Sequence, residues 1–487
     1  MNYKMVFYTL GNILKFEAAF LGLPLIVSLI NKEPTRNVLS FLITLAACLV
    51  IGIVISLNKP KKDKIYSSDG FAIVGLSWIV MSLFGCLPFI ISKQIPSFTD
   101  AFFETVSGFT TTGATIINGA PEELLSHSML FWRSFTHWIG GMGVLVFILA
   151  VMPKSEGQGI YLLRAESTGP QVGKLVSKIK LTATILYLIY IVFTITEAIL
   201  LWISPSMNFF EAITHAFATA GTGGFGLKAD SLASYSTYCQ IVIIVFMFLF
   251  GINFSLFYLI LAGRIKQALQ SEELWWYIGI ITVCSLTIFL NVYLTLRQIT
   301  TTLNTGVILK DSFFQVVSFM TSTGFTSADY NSWPEFSKTI LIILMFIGAC
   351  AGSTGGGIKV ARIIIVVKAV IREIRKLVHP NSVSNVHHEH STLSETVVHG
   401  VLNYFALIMI FTAIGLLVLS TNGFGFETNF TAIVSSLNNI GPIFGGLSDM
   451  STFPILSKFV MIFAMLLGRL ELYPILILFS FRAWTNK

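Results

Sequence analysis

Charged residues are scarce in this sequence. Only 11% of its 487 residues are Asp, Glu, Lys or Arg, whereas a soluble domain carries about a quarter. Apolar residues make up 54%, and the mean hydropathy is +0.79. No soluble core of this length is so uniformly apolar, so the composition excludes a soluble globular protein and indicates an integral membrane protein.

Cysteines and the signatures of common enzymes are also few. Paired aspartates, a His-Glu-x-x-His motif and a Gly-x-Ser-x-Gly elbow are all missing from the sequence, so nothing in it supports an enzyme. Gly352 and Gly357 have the spacing of a nucleotide-binding loop, but Ile358 separates Gly357 from Lys359 and no Ser or Thr follows. Five cysteines lie in or beside apolar runs without paired spacing, which favours small core residues over disulfides: Cys48, Cys86, Cys239, Cys284 and Cys350.

Ten apolar runs are present, each of about 20 residues, the helical length that crosses a bilayer core of roughly 30 Å. They cover residues 12–30, 38–57, 70–92, 128–152, 181–204, 239–262, 275–295, 339–358, 398–420 and 456–481. With the N-terminus inside, the predicted inner segments contain 19 Lys and Arg and the outer segments 9, so both termini are predicted to be cytoplasmic. This bias accounts for the net charge of +7 without invoking nucleic acid.

A shorter segment recurs four times between pairs of these runs, and each copy ends in a glycine turn. The copies are 102–114, 209–225, 313–325 and 430–442, with Gly113, Gly223, Gly324 and Gly441 separated by 110, 101 and 117 residues. Helix-start signals precede them: Asn208 with Glu211 and Ser312 with Gln315 at capping-box spacing, and Asp100 and Asn429 as caps. About ten helical residues reach some 15 Å, so each copy is predicted to enter the bilayer halfway.

Four half-helices entering from the outer face predict one pore with pseudo-four-fold symmetry, because irregular backbone at membrane depth is tolerated only where it lines a cavity or is buried. Their C-termini would each point roughly half a negative charge at the centre, which favours a cation. Glycine allows successive carbonyl oxygens to face the axis, and Thr111, Thr112, Thr222, Thr323 and Ser322 would add hydroxyls. No ring of Asp or Glu is present at these turns, which argues against a divalent cation.

The loop sequences carry a family resemblance. The motifs are Thr-Thr-Thr-Gly-Ala-Thr at 110–115, Thr-Gly-Gly-Phe at 222–225, Thr-Ser-Thr-Gly-Phe at 321–325, Asn-Asn-Ile-Gly-Pro at 438–442, and the stretches 132–143 and 468–474. The chain resembles the Trk/Ktr/HKT superfamily of K⁺ transporters, and within it the TrkH-type membrane subunit. The resemblance implies an all-α polytopic membrane fold with two N-terminal helices (1–66) and four repeats of helix, pore helix and helix (67–180, 181–270, 271–385 and 386–487).

The resemblance also implies a K⁺-selective filter built from the four loops. Its residues would be Thr111, Thr112, Gly113, Gly221, Thr222, Gly223, Gly224, Ser322, Thr323, Gly324, Asn439, Ile440 and Gly441. The register of the second loop stays open, because Thr-Gly pairing favours Gly223 and the Gly-Phe step favours Gly224. In plant members a serine at the position of Gly113 accompanies Na⁺ preference, so glycine there implies K⁺.

The eighth run is interrupted by five glycines within 348–357, each unfavourable by about 1 kcal/mol relative to alanine in a helix. We predict an intramembrane gate below the filter, as the family has there; the alternative is a flexible helix end. Arg469 interrupts an apolar run at a cost of roughly 2.5–3.5 kcal/mol, and is predicted in the pore beside this segment; pairing with Glu471 or a carbonyl cluster is the alternative. The predicted gate residues are Gly348, Gly352, Ser353, Thr354, Gly355, Gly356, Gly357, Lys359 and Arg469.

Other candidates have structural interpretations. His387, His388, Glu389 and His390 are expected in a solvated inner loop, and Glu197, His137 and His215 in structural hydrogen bonds, with proton coupling as the alternative. The resemblance implies a homodimer in the cell inner membrane with TrkA-type cytosolic nucleotide-binding subunits, K⁺ as the transported ion and no organic cofactor on this chain. Two further functions are considered: Na⁺ permeation through the same fold, and a secondary transporter with broken helices, which predicts inverted halves, whereas these four repeats share one orientation.

Overall fold

The computed structural model describes residues 2–57, 67–141, 143, 179–299, 304–381, 384–389, 391–447, 449–470 and 473–479. The described chain is almost entirely helical, which confirms the predicted all-α membrane fold. The helices are α1 (Tyr3–Ile30), α2 (Thr35–Ser56), α3 (Ser67–Gly85), α4 (Leu87–Ser92), α5 (Phe98–Phe109), α6 (Pro121–Leu124), α7 (His127–Gly141), α8 (Ile179–Trp202), α9 (Phe209–Ala220), α10 (Thr237–Phe250), α11 (Phe254–Leu261), α12 (Ile265–Leu269), α13 (Glu272–Ile299), α14 (Thr305–Met320), α15 (Glu335–Phe346), α16 (Val360–Val378), α17 (Glu395–Leu419), α18 (Phe426–Asn438), α19 (Ile455–Arg469) and α20 (Tyr473–Phe479).

Within the described residues, six helical spans, one of them formed by α3 and α4 together, are each long and apolar enough to cross a membrane, and they correspond to six of the ten predicted runs. Their spans are Tyr3–Ile30, Thr35–Ser56, Asp69–Ser92, Ala183–Trp202, Glu272–Gln298 and Glu395–Asn422. The other four runs are not continuous helices over their described residues. Helix α7 ends at Gly141, and most of the predicted run beyond it lies outside the described residues.

The helices that follow the second, third and fourth half-helices are all interrupted. Helices α10 and α11 meet at an 89° bend. At this bend Gly251 leaves room for the Tyr277 hydroxyl, and the side chain of Asn253 accepts a hydrogen bond from the Ser255 N–H, which starts the next helix. Helix α15 is only twelve residues long and ends at Phe346, and α19 ends at Arg469. The straight span predicted for 239–262 is therefore wrong, whereas the interruption predicted within 348–357 is present between α15 and α16.

The four half-helices are α5, α9, α14 and α18. Asn208 and Glu211 form the predicted capping box at the start of α9, with hydrogen bonds of 2.9 Å and 2.7 Å. The other three predicted caps are wrong. Ser97 caps α5 and Asn304 caps α14, while α18 begins after Gly425 without a side-chain cap.

The displaced cap residues have other roles because these helices begin earlier than their sequence signals. Ser312 lies inside α14 and donates to the Ile308 carbonyl oxygen at 2.8 Å. Asp100 accepts from Lys458 of α19 at 2.6 Å, which joins the first half-helix to the last repeat. The side chain of Asn429, inside α18, donates to the Phe424 carbonyl oxygen at 2.9 Å. These polar residues therefore correctly predicted that a helix is present, but not the residue at which it begins.

A short antiparallel hairpin lies between α16 and α17. Its strands are β1 (His387–His388) and β2 (Ser391–Thr392). The hairpin and α16 enclose a small apolar cluster separate from the main core, whose members are Ile365, Ala369, Val386, Leu393, Val398 and Val401. The polar segment predicted as a solvated loop is therefore a folded element attached to the helix that follows the glycine segment.

Helices α1 and α2 approach closely at a pair of glycines. A side chain on Gly11 would lie 2.7 Å from the Gly52 carbonyl oxygen, and one on Gly52 would lie 2.8 Å from that of Gly11. Small residues at such a crossing allow the two backbones to pack directly in a membrane.

We expect Gly52→Leu to separate α1 from α2 and lower the free energy of unfolding by about 1–3 kcal/mol, the usual effect of overpacking. The measurement is the thermal unfolding midpoint of the full chain in detergent. Gly22→Leu is the matched control, because Gly22 lies in α1, the other helix of the pair, and has no neighbouring atom within 4 Å of an added side chain. Equal destabilisation by both variants would contradict this account of the helix pair.

Candidate functional site

The four loops that follow the half-helices share one backbone conformation. In each loop a non-glycine residue with positive φ is followed two positions later by a glycine with positive φ. The first set is Thr111, Thr222, Ser322 and Asn439, with φ between 53° and 55°, and the second is Gly113 (78°), Gly224 (72°), Gly324 (82°) and Gly441 (102°). Glycine adopts this region without strain, whereas the other four residues must be held there by their surroundings.

The residue between these two positions is anchored in the same way in every loop. Its N–H donates to the carbonyl oxygen five residues earlier, near the end of the half-helix. The four bonds run from Thr112 to Ser107 (2.9 Å), Gly223 to Ala218 (2.8 Å), Thr323 to Ser318 (2.9 Å) and Ile440 to Ser435 (3.0 Å). Because these N–H groups are bonded to the ends of the half-helices, the other side of each loop backbone presents its carbonyl oxygens.

These equivalences define the register of the second loop, which the sequence left open. Gly223 occupies the position of Thr112, and Gly224 occupies that of Gly113. The motif Phe-Phe-Glu occurs at 102–104 and again at 209–211. Aligning these two motifs would shift the second half-helix by four residues, about one helical turn, relative to the alignment that the loop geometry gives. By the loop geometry His215 of α9 is the counterpart of Glu104.

The loops form a closed ring through contacts between each glycine and its neighbour. A side chain on Gly113 would overlap the carbonyl oxygen of Gly223, one on Gly224 that of Thr323, one on Gly324 that of Ile440, and one on Gly441 that of Thr112. The contacts therefore run from loop one to two, three, four and back to one. Each glycine is required twice, by its φ and by the carbonyl oxygen of the next loop.

Four carbonyl oxygens occupy equivalent places in this ring, those of Thr112, Gly223, Thr323 and Ile440. Within the part of the chain that the structure describes, no hydrogen bond reaches any of them. Four such oxygens, with four half-helix C-termini directed at the same ring, create a negative potential without a formal charge. Rings of backbone carbonyls can replace the hydration shell of a monovalent cation.

Most loop hydroxyls are engaged within the protein. Thr112 pairs with Thr110 at 2.8 Å and accepts from the Asn439 side chain at 2.9 Å, and Thr323 pairs with Thr321 at 2.7 Å. Those of Thr222 and Ser322 donate to the carbonyl oxygens of the residues before them. Of these loop hydroxyls, only that of the buried Thr111 lacks a hydrogen-bond partner among the described residues.

A cavity of about 520 Å³ opens on one side of the ring, and all four ring glycines line it. The remaining lining comes mainly from residues that follow the glycines along the chain. Asp230, Asp329 and Asp449 contribute acidic side chains, and Lys228 and Arg133 contribute basic ones. We call this cavity the vestibule.

A buried ion pair beside the vestibule supports the ring. Arg133 of α7 is 3% exposed, and its Nε lies 2.5 Å from Glu104 of α5. Glu104 also accepts from the Ile116 N–H at 3.0 Å and from the Thr115 hydroxyl. The guanidinium donates to the Gly226 carbonyl oxygen at 2.9 Å, so the pair joins loop one to loop two.

No sequence motif predicted this pair, because Arg133 and Glu104 are 29 positions apart. Arg469 is half-buried, whereas the basic side chains of Arg133, Lys359 and Lys458 are buried. An arginine within the apolar stretch 129–139, together with a glutamate in the preceding half-helix, was the available signal.

The glycine segment, residues 348–357, contacts the ring on the side opposite the vestibule. The Gly356 N–H donates to the Ser322 hydroxyl oxygen at 2.5 Å, and a side chain on Gly356 would lie 2.5 Å from the Asn438 carbonyl oxygen. A side chain on Gly355 would lie 2.8 Å from the Thr321 carbonyl oxygen. The missing side chains thus allow this backbone to lie directly against the ends of two half-helices.

The other predicted gate residues hold the glycine segment in place. Thr354 donates through its N–H (3.4 Å) and hydroxyl (3.3 Å) to the Phe250 carbonyl oxygen, and Gly352 accepts from the Phe254 N–H at 3.0 Å. These hydrogen bonds attach the segment to Phe250, which precedes the bend between α10 and α11, and to Phe254, which follows it. Ser353 donates to the Cys350 carbonyl oxygen at 2.6 Å, and a side chain on Gly348 would overlap the carbonyl oxygen of Gly356. Gly357 has a φ of 73°, and Lys359 Nζ donates to the Gly355 carbonyl oxygen.

Arg469 joins three repeats at the end of α19. One guanidinium nitrogen donates to the Thr354 carbonyl oxygen at 2.9 Å, and the other donates to the carbonyl oxygens of Gly140 and Gly141, the latter at 2.8 Å. The structure thus brings Arg469 to the glycine segment, and it also forms the carbonyl cluster considered as the alternative. The other proposed partner, Glu471, lies outside the described residues.

The remaining polar candidates are buried or packed against protein. His137 binds the Gly108 carbonyl oxygen at 2.9 Å, His215 binds that of Glu211 at 2.8 Å, and Glu197 is fully buried on α8. In the hairpin, burial lowers the pKa of His388 below its ordinary value, so its imidazole is neutral near pH 7. Over the described residues no group of three His, Cys, Asp or Glu side chains is arranged to hold a metal, although His390 lies outside them.

Membrane-spanning helices around a ring of re-entrant loops characterise a membrane protein that transports cations. The family model TrkH, described as a cation transport protein, matches residues 38–484, and the chain belongs to this family. Its members are cation transporters and not enzymes.

Two relatives and one solved structure support this assignment. The chain is 35% identical over 495 residues to the Trk system potassium uptake protein TrkH of Escherichia coli strain K12, covering 99% of this chain and all of that protein. It is 33% identical to the Trk system potassium uptake protein TrkG of the same strain, covering 95% of each chain. The crystal structure of the potassium transporter TrkH from Vibrio parahaemolyticus matches with a TM-score of 0.89 at 32% identity, covering both chains completely.

We expect Glu104→Gln to lower the free energy of unfolding by about 3–5 kcal/mol, because it leaves the buried Arg133 charge without its partner. The thermal unfolding midpoint in detergent is the measurement. Glu335→Gln is the control: its pair with Lys338 is 2.6 Å long, but the Glu335 side chain is 86% exposed, so little change is expected. A midpoint for Glu104→Gln equal to that of the control would contradict a supporting role for this pair.

Proposed function

We propose that this protein conducts K⁺ into the cell across the inner membrane, through the ring formed by its four loops. The observation that carries the proposal is the set of four equivalent carbonyl oxygens contributed by Thr112, Gly223, Thr323 and Ile440. The names of the relatives, potassium uptake proteins, support the choice of ion. The vestibule would then face outward and the glycine segment inward, as the Lys and Arg distribution predicts.

The filter in this proposal consists of the backbone around the four ring glycines. A K⁺ ion would exchange water oxygens for carbonyl oxygens as it passes the ring. The half-helix C-termini would stabilise it there, while the absence of a carboxylate at the ring keeps binding weak enough for release. One glycine-centred turn per loop favours one main binding site.

The gate in this proposal is the glycine segment together with Arg469. The segment contacts loops three and four from the predicted inner side, where a backbone without side chains can lie against the filter. The guanidinium holds the segment through the Thr354 carbonyl oxygen and adds a positive charge near the path. Displacing the segment would open the inner path, and its repeated glycines make such a change inexpensive.

The proposal extends to the assembly. The words "Trk system" in the names of the relatives indicate a multi-component system. We propose a homodimeric membrane part, with TrkA-type nucleotide-binding subunits docked on the basic inner face and acting on the gate.

The filter is tested by Gly113→Ser in proteoliposomes, with K⁺ and Na⁺ fluxes measured under imposed gradients. A side chain at Gly113 would overlap the Gly223 carbonyl oxygen and displace it from the ring. We expect the K⁺/Na⁺ selectivity to fall at least about tenfold, equivalent to about 1.4 kcal/mol.

The matched control for the filter is Gly119→Ser. Gly119 lines the same vestibule and also has a positive φ (106°), but an added side chain there meets no atom within 4 Å. Unchanged selectivity in Gly113→Ser would contradict the filter. Wild-type protein passing Na⁺ as readily as K⁺ would favour the sodium alternative, and K⁺ uptake driven by a pH gradient alone would favour coupled transport.

The gate is tested by Arg469→Ala, which removes the guanidinium contacts to the glycine segment and to α7. We expect a several-fold higher K⁺ flux through the membrane subunit without regulatory subunits, with K⁺/Na⁺ selectivity retained. Arg469→Lys keeps the charge but loses the planar fork, so its flux should be intermediate. Arg375→Ala, which removes an exposed arginine from α16, is the control. Wild-type flux and gating in Arg469→Ala would rule out this role.

A further inference from the structure

Glu273 makes an unusual pair of contacts with the glycine segment. It is the second residue of α13 and is 4% exposed. Its Oε1 accepts from the Ala351 N–H at 2.6 Å and from the Ala361 N–H at 3.1 Å. Ala351 lies within the glycine segment and Ala361 in the first turn of α16, so one carboxylate oxygen holds both sides of the interruption. Removing this side chain would leave both buried N–H groups without an acceptor.

The start of α13 is in turn held by the hairpin. Glu389, in the turn between β1 and β2, accepts on Oε1 from the Ser271 hydroxyl at 2.8 Å and from the Glu273 N–H at 3.2 Å. It therefore satisfies a helix N–H that has no partner within the helix. Glu389 has a φ of 47°, a conformation that glycine adopts more easily, yet its side chain is what reaches α13.

A second contact ties the hairpin to the helix after the glycine segment. Lys368 of α16 lies 2.5 Å from the carboxylate of Glu272 and donates to the His387 carbonyl oxygen at 2.9 Å. The hairpin, the first turn of α13 and helix α16 thus form one hydrogen-bonded unit. Glu273 is the member of this unit that reaches the segment.

We infer that Glu273 is a positioning residue for the glycine segment, and that the hairpin sets this position through Glu389. The inference rests on the proposed gate function. A partner that moved the hairpin would withdraw Glu389 from the start of α13 and shift Glu273, which would release the segment at Ala351 and Ala361. The hairpin is therefore the route by which an event on the predicted inner face reaches the pore.

Cys350 offers a direct readout, because it lies within the segment, is fully buried and donates its N–H to the Gly251 carbonyl oxygen at 3.0 Å. The experiment labels the full chain with N-ethylmaleimide in proteoliposomes and follows each cysteine by mass spectrometry. We expect Glu273→Ala and Glu389→Ala each to label Cys350 about tenfold faster, the effect expected when a buried N–H loses its acceptor. Glu273→Gln keeps an oxygen acceptor and should stay near the wild-type rate.

Controls separate local release from unfolding. Cys48 and Cys239 are fully buried elsewhere in the fold and should keep their wild-type rates in every variant. Glu395→Gln, which removes an acid paired with Arg372 at 2.5 Å on the same face, should leave Cys350 unchanged.

An unchanged Cys350 rate in Glu273→Ala would overturn the inference, and an unchanged rate in Glu389→Ala would overturn the link to the hairpin. Faster labelling of all three cysteines would also overturn it, because it would show general destabilisation. The labelling does not depend on ion selectivity, so a failed filter test with Gly113→Ser leaves this result interpretable on its own.

Discussion

The close contact between each ring glycine and the next loop's carbonyl oxygen is the constraint on which the rest of the structure depends. Four loops can bring four carbonyl oxygens together only if no side chain stands between them, and only if something other than those contacts holds the loops. The half-helices meet the second need by binding the loop N–H groups behind the ring. The remaining polar groups of the loops, including most hydroxyls, brace the backbone and do not face the centre.

Buried charged side chains support this ring. Since the membrane interior supplies no water to solvate these charges, their partners must come from the protein. Glu104 and Arg133 hold loops one and two together, Lys458 joins Asp100 of the first half-helix to the fourth repeat, and Arg469 connects three repeats through backbone carbonyls. Breaking one member of such a set leaves an uncompensated charge, which is far more destabilising than losing a surface pair. Glu273 differs, because its partners on both sides of the glycine segment are neutral backbone N–H groups, which its removal would leave without an acceptor.

The sequence predicted the elements of the fold better than their ends. Apolar runs identified six continuous spans, and the glycine turns identified four half-helices, because both signals are local. The caps of α5, α14 and α18 were misplaced, since several polar residues near a helix start can serve and packing selects among them. The break between α10 and α11 lies within a continuous apolar run, and the Tyr277 hydroxyl that occupies the space at Gly251 comes from another helix. The glycines of 348–357 predicted the break after α15, but not the Phe250 carbonyl oxygen that binds Thr354 there.

By itself the sequence determined a membrane protein of helices, four glycine loops, an interrupted helix and an arginine within an apolar run, and its resemblance identified the family. The tertiary structure alone decided that Gly224 is the ring glycine of loop two, that the loops close in the order one to four, and that Arg133 is buried against Glu104. It also brought Glu273 to Ala351 and Ala361. These are contacts between residues 29 to more than 300 positions apart. Periodicity and composition are local, whereas the ring is defined by which backbones can approach each other in space.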